Sequence, residues 1–285
     1  MTRMTFQPAN RLTSAALGEL FTRAYSDYFV PVNVDRAAFE LMVMLYDIDL
    51  SASRVGLLKG EPVALALLGV RDRRGWIGGM GVVPAYRGEG GGRAIMQAVI
   101  DSARRRKLRS IDLEVITENV HAMAIYDALG FERRRTLDIW LRDADATFPM
   151  PPRDAVQALE VAACLATHDE LHSVTSPWQR DLPVLKRMAE TLHAIGVREA
   201  GRIQSYVLYR MDGANVRIVD VAALPGPRTA RIESMLRALI RDRSGSPVRF
   251  VNLPQDDPAS PVMHRIGAQI EMQQHEMTLE ISNDE

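Results

Sequence analysis

The sequence is organised around the stretch Val82-Val83-Pro84-Ala85-Tyr86-Arg87-Gly88-Glu89-Gly90-Gly91-Gly92-Arg93, in which an arginine leads into four glycines. Residues 76–83 form an apolar run typical of a buried strand, and apolar side chains from Ile95 to Ala103 recur at helical spacing. The glycines therefore join a strand to the start of a helix. Glycine lets backbone N–H groups approach a ligand, and the helix terminus adds partial positive charge. The stretch thus predicts an anion-binding loop that suits a diphosphate.

Spacing excludes two other phosphate-binding loops. A dinucleotide fingerprint that starts at Gly88 and Gly90 requires a third glycine at position 93, which is an arginine. A Walker loop ends in Gly-Lys-Ser/Thr, and residues 82–93 contain no lysine. A glycine-rich turn without a ligand is also disfavoured, because three consecutive glycines cost conformational entropy on folding.

The remaining pattern, Arg-x-x-Gly-x-Gly over residues 87–92 after Val-x-Pro-x-Tyr, resembles the acetyl-CoA loop of the GCN5-related N-acetyltransferase family. Two further stretches resemble this family, Leu-Glu-Val-x-x-x-Asn over 113–119 and Ile-Tyr-x-x-x-Gly-Phe over 125–131. The similarity covers residues 3–142. It implies the acyl-CoA N-acyltransferase fold, an α/β fold built on a mixed α+β sheet, and it implies acetyl-CoA as the co-substrate.

Hydrophobic periodicity in the first half predicts the element order βααβββαβαβ, with one helix beginning after Asp35 and another after Asn119. Residues 144–152 are rich in proline and are expected to form a linker. The same order recurs beyond it, including a helix expected to close over residues 189–195.

We therefore expect two tandem acetyltransferase-like domains. Residues 1–145 are predicted to form the domain with the acetyl-CoA site, and residues 154–285 a degenerate domain without one. In the second domain, residues 224–229 contain two prolines, which lack N–H donors, and one glycine in place of four. When Gly130 and Gly267, the glycines after the last helix of each half, are aligned, three polar residues of the first half fall on residues of other types. Tyr126 aligns with Met263, Glu114 with Val251 and Asn119 with Asp256. The second half is expected to cover the acceptor cleft or to form a subunit interface.

The family resemblance assigns two catalytic residues. Tyr126 stands at the position of the family's proposed acid, and a tyrosine pKa near 10 suits proton donation to a leaving thiolate whose thiol has a pKa of about 8.5. Glu114 stands where some members carry a base that acts through water. Each residue has a structural alternative, because Tyr126 lies at the helical spacing of a core aromatic and Glu114 can face solvent from a strand.

The resemblance also implies that acetyl-CoA lies along the strand end, the glycine loop and the following helix. The residues assigned to cofactor binding are Gly81, Val82, Val83, Arg87, Gly88, Glu89, Gly90, Gly91, Gly92, Arg93, Asn119, Ala122 and Tyr126. Asn119 also suits a helix cap, and the two roles are compatible. Glycines at 78, 79 and 81 inside the preceding strand suggest the close approach of a pantetheine arm. No residue is assigned to a metal.

The acceptor is expected to be a primary amine of a small molecule or a peptide. Glu40, Asp47 and Asp49 lie in a stretch, residues 37–53, without lysine or arginine, and they suit either an ammonium-binding pocket or ordinary caps and solvated helix faces. Two alternatives to acetyl transfer stay open. They are transfer of a longer acyl group, and a CoA-binding sensor or structural module without turnover. The expected state is a monomer or a homodimer.

Composition disfavours several other classes. Lysine and arginine number 35 against 36 aspartate and glutamate residues, so the net charge does not favour a nucleic acid. The longest apolar runs have the length of strands and fall far short of a membrane span. One cysteine, Cys164, excludes an intramolecular disulfide, and the first residues carry no apolar run resembling a signal peptide. We expect a cytoplasmic protein with no nucleic-acid or membrane partner.

Overall fold

A computed structural model describes residues 4–145 and 156–281 of the chain. The chain divides into two compact units. Unit 1 comprises Met1–Arg134 and Glu276–Glu285, and unit 2 comprises Arg135–His275. Most of the proline-rich segment predicted as a linker lies outside the described residues, which omit 146–155.

The predicted order of elements in the first half is confirmed. Its helices and strands are β1 Thr5–Pro8, α1 Ser14–Ala24, α2 Arg36–Leu45, β2 Arg54–Leu58, β3 Glu61–Arg71, β4 Arg74–Val82, α3 Gly91–Arg105, β5 Ser110–Ile116, α4 Val120–Ala128 and β6 Glu132–Arg142. Side chains at the N-caps start three of these helices. Thr13 accepts a hydrogen bond from the Ala16 amide, and Asp35 and Asn119 cap α2 and α4 in the same way, as predicted for the latter two.

The sheet of unit 1 is antiparallel from β1 to β4, and β5 then joins β4 in parallel. The β4–β5 ladder is short. It pairs Arg74 with Ser110 and ends at Trp76 and Asp112, although β4 continues to Val82. The two strands therefore separate at their carboxyl ends. Helix α3 packs its apolar face on this sheet, in a core that includes Ile95, Met96, Val99, Ile100, Ile111, Leu113 and Val115.

The second half contains more elements than the sequence predicted. They are β7 Val156–Ala158, α5 Val161–Ala166, α6 His168–Leu171, α7 Leu182–Met188, β8 His193–Glu199, β9 Arg202–Asp212, β10 Asn215–Ala223, α8 Arg228–Asp242, β11 Val248–Pro254, α9 Ser260–Arg265 and β12 Gln269–Glu280. The helix predicted to close over 189–195 ends earlier than expected, after a 3-10 turn over Ala189–Thr191 that follows α7. Helix α7 ends at Met188, and β8 begins at His193 because this segment forms an antiparallel ladder with β9, which overrides its local helical spacing.

Each unit takes its last strand from the other half of the sequence. In unit 2, Leu137 to Arg142 of β6 pair antiparallel with β11. In unit 1, the end of β12 lies beside β5, where the Ile281 amide donates to the Arg109 carbonyl at 2.7 Å and Thr278 donates to Asp112 at 2.7 Å. The compact units thus differ from the predicted domains 1–145 and 154–285. Strand periodicity identifies a strand but not the neighbour with which it pairs.

None of the helices in residues 4–145 and 156–281 is long and apolar enough to cross a membrane.

The contribution of β12 to unit 1 leads to a stability prediction. Met277 is fully buried in the unit 1 core, so Met277→Ala should lower the free energy of unfolding by about 2–5 kcal/mol. Amide exchange should accelerate in β5 more than in β10. Glu280→Ala, on the exposed face of the same strand, should change stability by less than about 0.5 kcal/mol. Denaturant titration and hydrogen exchange measure both, and equal costs for the two variants would contradict the strand placement.

Candidate functional site

The glycine loop forms a left-handed turn between β4 and α3. A short 3-10 turn over Pro84–Tyr86 leads into Gly88 and Gly90, whose φ angles are +88° and +78°. A Cβ atom at either glycine would meet no heavy atom within 4 Å. These two positions therefore require glycine for its backbone conformation, and the space above them is open to a ligand.

The first amides of helix α3 have no acceptor within the helix. The first bond of the helix runs from the Ala94 amide to the Gly90 carbonyl at 3.0 Å, so the N–H groups of Gly91, Gly92 and Arg93 precede it. Gly90 is the N-cap and has no side chain with which to cap them. A 15-residue helix with an open N-terminus suits a bound anion. The residues present therefore fit the diphosphate that the family resemblance implies.

Arg87 is bound within the protein. Its guanidinium forms two hydrogen bonds with the Asp27 carboxylate, at 2.7 and 2.9 Å, and donates to the carbonyls of Val82 and Ala24 at 2.8 and 2.9 Å. The hydrogen bond from Arg87 lowers the pKa of Asp27. Arg87 thus ties the loop to the end of α1, and its assignment to cofactor binding stays a prediction.

Arg228 of unit 2 makes backbone contacts equivalent to those of Arg87 in unit 1. Arg228 donates from Nε to the carbonyl of Ala223, the last residue of β10, at 2.6 Å and from Nη2 to the Leu171 carbonyl at 3.3 Å. Its loop has one glycine with a positive φ, Gly226. An arginine can therefore hold this strand end without a glycine-rich loop, which supports a structural role for Arg87.

The glycines of β4 accommodate other parts of unit 1. A Cβ atom at Gly79 would lie 2.6 Å from the Phe21 ring, and one at Gly81 would lie 2.9 Å from Ala24. A Cβ atom at Gly78 would lie 2.7 Å from Ile48. The close approach inferred from the sequence is present, and on these faces the neighbours within the protein are α1 and Ile48.

Tyr25 lies where β4 and β5 have separated. Its ring stacks on Phe21 with a centroid distance of 4.5 Å. Its hydroxyl donates to the Met80 carbonyl and accepts from the Met80 amide, both at 3.0 Å. Met80 therefore presents both backbone groups on the side of β4 away from β3. Burial raises the pKa of Tyr25, so its hydroxyl stays protonated at neutral pH.

Tyr126 is a buried residue of α4 and is 6% exposed. Its ring packs against Phe131 with a centroid distance of 5.8 Å. Burial, followed by the neighbouring phenols of Tyr25 and Tyr28, raises the pKa of Tyr126 above that of an ordinary tyrosine. The predicted value near 10 is therefore wrong. Tyr126 packs in the core of unit 1, and its hydroxyl is protonated at neutral pH.

Asn119 connects the start of α4 to the tyrosines. Its Oδ1 accepts from the Ala122 amide at 3.1 Å. Its side chain also bonds to Tyr28, whose pKa is raised by burial and lowered to a smaller extent by this bond. Ala122 itself is half-buried against the core of unit 1. The cap role predicted for Asn119 is confirmed.

Glu114 does not simply face solvent. Its Oε2 accepts a hydrogen bond from the Trp76 indole at 2.7 Å, and the side chain is half-buried. Trp76 belongs to β4 and Glu114 to β5, so this bond crosses between the strands where their ladder ends. The carboxylate is thereby held in one orientation.

The acidic residues considered for an acceptor pocket are paired with arginines. Glu40 bonds Arg36 at 2.9 Å one helical turn away, Asp47 bonds Arg71, and Asp49 bonds Arg106 at 3.0 Å. Asp49 also accepts from the amides of the following turn. These residues act as caps and ion-pair partners. This agrees with the alternative to an ammonium-binding pocket, which was caps and solvated helix faces.

The remaining cofactor candidates lie around the loop. Val82 and Val83 are buried at the end of β4, and Glu89 is exposed. A Cβ atom at Gly92 would lie 2.9 Å from Ile125 of α4, which brings α3 and α4 together. The loop, Asn119 and Tyr126 therefore belong to one region of unit 1.

Sequence reasoning missed a polar cluster in unit 2. His168, His172 and Asp220 bring ligand atoms within 4.8 Å of one another. The two histidines stand four residues apart, which places them on one face of a helical turn. The four-residue spacing of the histidines could have indicated a pair of metal ligands. No sequence pattern indicated that Asp220, on a distant strand, would lie beside them.

The whole chain has the acyl-CoA N-acyltransferase fold in tandem. A GCN5-related N-acetyltransferase from Sphaerobacter thermophilus superposes with a TM-score of 0.70 at 15% identity, covering 97% of this chain and 95% of that one. A tandem GNAT protein from the clavulanic acid biosynthesis pathway superposes with a TM-score of 0.69 at 16% identity, covering 99% and 100%. Residues 16–131 match the model of the Acetyltransferase (GNAT) family. The matched residues include the loop motif over residues 82–93.

Curated relatives are similar over a shorter stretch. N-alpha-acetyltransferase 30 of Saccharomyces cerevisiae is 35% identical over 74 residues, which is 26% of this chain and 42% of that protein. Ribosomal protein bS18-alanine N-acetyltransferase of Escherichia coli is 33% identical over 72 residues, which is 25% and 49%. The chain thus spans less than half of the length of these two relatives.

Proposed function

We propose that this chain is an acetyl-CoA-dependent N-acetyltransferase that moves an acetyl group to a primary amine by direct attack on the thioester. The observation that carries the proposal is the open N-terminus of α3 at a left-handed glycine turn, within the residues that match the acetyltransferase family. The cytoplasmic location and the monomeric or homodimeric state stay predictions.

The loop amides are the proposed diphosphate site. Acetyl-CoA supplies the acyl group in an activated thioester when it is bound. The N–H groups of Gly91, Gly92 and Arg93 would bind the diphosphate oxygens, and Gly88 and Gly90 leave room for them. Arg87 and Asp27 keep the loop in this shape.

Tyr126 is the proposed acid. Its hydroxyl oxygen holds a proton at neutral pH and gives it to the sulfur of the leaving thiolate. Burial raises the pKa of Tyr126. A thiol in the same low-dielectric surroundings has a raised pKa as well, because burial disfavours the anionic form of both groups. The difference between the two pKa values governs the transfer.

Glu114 is the proposed base. A lysine-like amine has a pKa of about 10.4, so only about one molecule in a thousand is neutral at pH 7. Glu114 accepts the amine proton through a water molecule, while the Trp76 indole holds the carboxylate in one orientation. Such acid–base assistance is worth roughly 10²–10⁴ in rate.

In unit 2 a buried side chain fills the gap between the ends of β10 and β11, which supports a single acetyl-CoA site per chain. The ladder of these strands pairs 216–218 with 248–250. Just past it, buried Arg180 donates to the Val219 carbonyl at 3.0 Å and to the Asn252 carbonyl at 2.9 Å. The guanidinium lies 4.3 Å from the centre of the Phe250 ring. A side chain thus fills the space between the strands.

The acceptor is proposed to be a peptide N-terminus or a small-molecule amine. The curated name of the Escherichia coli relative specifies an alanine of a ribosomal protein, which favours a peptide as the first class to screen. The rival functions are a CoA-binding module without turnover and transfer of a longer acyl group. Thiol release measured across an amine panel and an acyl-CoA series separates all three.

The glycine turn yields a binding prediction. Gly90→Val adds a side chain at a positive φ where backbone must approach the diphosphate, and CoA affinity should fall roughly 10- to 100-fold for each hydrogen bond lost. Gly60→Val is the matched control, since Gly60 has a φ of +86° and equally open surroundings in the β2–β3 turn. It should bind CoA as the parent does. Calorimetry should give one CoA per chain for the parent and for Gly226→Val, and two sites or unchanged binding by Gly90→Val would contradict the proposal.

Removing the phenol hydroxyl should separate chemistry from binding. Tyr126→Phe should lower kcat roughly 10²–10⁴-fold with little change in the Kd for acetyl-CoA, because the proton is needed only as the thiolate leaves. Tyr86→Phe removes a hydroxyl that bonds Glu61 and should leave kcat near the parent value. Steady-state kinetics and calorimetry test this, and the acid role is wrong if the Tyr126 variant turns over normally.

Replacing the carboxylate should change the pH profile. Glu114→Gln should lower the rate at neutral pH and recover part of it at high pH, where the acceptor amine deprotonates without help. Asp112→Asn makes the same chemical change two residues earlier on β5, where the carboxylate pairs with Arg74 and Thr278. Its pH profile should keep the parent shape. A loss for Glu114→Gln that is uniform with pH would return Glu114 to a structural role.

A further inference from the structure

Unit 2 contains a cluster of three metal-ligating side chains. The ligand atoms of His168, His172 and Asp220 all lie within 4.8 Å of one another. His168 and Asp220 are buried, and His172 is half-buried. The cluster serves no step of the proposed acetyl transfer, so its chemistry requires a separate explanation.

Two elements bring these residues together. His168 begins α6 and His172 follows its end, so the imidazoles stand one helical turn apart and stack with a centroid distance of 4.0 Å. Asp220 lies on β10 directly after a bulge between Ile218 and Asp220. The bulge turns the carboxylate toward α6.

Outer contacts fix which atom of each side chain faces the cluster. His168 Nδ1 lies 2.9 Å from the Asp169 carboxylate, and His172 Nδ1 lies 2.9 Å from the His168 carbonyl. The Tyr206 hydroxyl donates to Asp220 Oδ2 at 2.9 Å. A carboxylate and a carbonyl only accept, so both Nδ1 atoms carry protons. His168 Nε2, His172 Nε2 and Asp220 Oδ1 remain as the atoms that converge, each held by the kind of outer partner that metal ligands have.

A bound cation would satisfy the atoms that face the cluster. In neutral imidazoles with protonated Nδ1, both Nε2 atoms are lone-pair acceptors, and His172 Nε2 lies 3.1 Å from Asp220 Oδ1. A proton on His172 would satisfy that pair and leave His168 Nε2 without a partner. His168 Nε2 is buried and has no hydrogen-bond partner among the described residues, and His168 is 8% exposed. One metal ion would satisfy all three atoms.

We propose that His168, His172 and Asp220 form a structural site for one divalent transition metal, with Zn²⁺ as the best match. Two imidazole nitrogens and one carboxylate oxygen form a ligand set that Zn²⁺ accepts, and a water molecule completes four-fold coordination. The site joins α6 to β10 and stabilises unit 2. It is independent of acetyl transfer.

Arg180 limits the affinity of this site. Its Nη2 lies 3.5 Å from Asp220 Oδ1, and its positive charge repels a cation. A carboxylate oxygen has two lone pairs, so Oδ1 can face both the arginine and the metal. Arg180 is also held by the carbonyls of Val219 and Asn252, which keeps it in place when the metal binds. These contacts favour a metal that binds imidazole strongly over Mg²⁺ or Ca²⁺.

The first test uses the full-length chain, purified without a metal-affinity resin, treated with a chelator and dialysed. Equilibrium dialysis with ZnCl₂ and elemental analysis should give one Zn²⁺ per chain. CoCl₂ should produce the visible absorption of Co²⁺ in tetrahedral nitrogen and oxygen coordination. At a free Zn²⁺ concentration about 100-fold above Kd, calorimetry should show a rise in Tm of roughly 5–10 °C. No bound metal together with an unchanged Tm would overturn the proposal and leave a proton shared by His172 and Asp220.

The second test removes one ligand atom and keeps the ring. His168→Phe preserves stacking on His172 but lacks Nε2, and Zn²⁺ affinity should fall on the order of 100-fold or more. His193→Phe is the matched control, because His193 is exposed on β8 of the same unit and packs on Tyr209. It should bind one Zn²⁺ with parental affinity. Zn²⁺ binding that survives His168→Phe would overturn the assignment, and circular dichroism confirms that each variant is folded.

Discussion

The site of unit 1 depends on the point at which one parallel ladder ends. β4 and β5 are paired only as far as Trp76 and Asp112, although both strands continue. Backbone groups beyond that point need other partners, because buried N–H and C=O groups are costly to leave unpaired. The Tyr25 hydroxyl hydrogen-bonds the backbone carbonyl and amide of Met80. The Trp76 indole donates to the Glu114 side chain between the two strands. The open end between the strands therefore determines which polar groups are available near the glycine loop.

The same constraint acts in unit 2 with a different outcome. Here Arg180 satisfies the carbonyls of Val219 and Asn252 past the end of the ladder. A buried guanidinium is costly unless an anion accompanies it, and Asp220 supplies that anion at the edge of hydrogen-bond distance. Burial opposes ionisation of Asp220, but the polar and charged groups around it, Arg180 among them, keep the pKa of this carboxyl below its usual range. Closure of the strand gap and the His–Asp cluster thus belong to one network of buried charges.

Local features of the site were predictable from the sequence, and its long-range partners were not. The glycine turn between β4 and α3 and the cap at Asn119 depend on short-range geometry, so the motifs indicated them. The bond between Arg87 and Asp27 joins residues far apart in the chain, and no local pattern distinguishes an arginine that binds a ligand from one that binds a carboxylate. The rise in the pKa of Tyr126 depends on burial, which the spacing of one helix does not measure.

Unit 1 takes its last strand, β12, from the second half of the sequence, and this affects the rate at which unit 1 can fold. The core of unit 1 includes Met277, Leu279 and Ile281, which follow the whole of unit 2 in the chain. Their pairing with β5 closes a very long loop, and the entropy of that closure precedes the gain from burying them. Contacts of this sequence separation slow folding and delay the burial of apolar surface. Unit 1 therefore cannot complete its core until the segment that holds Met277, Leu279 and Ile281 has joined it.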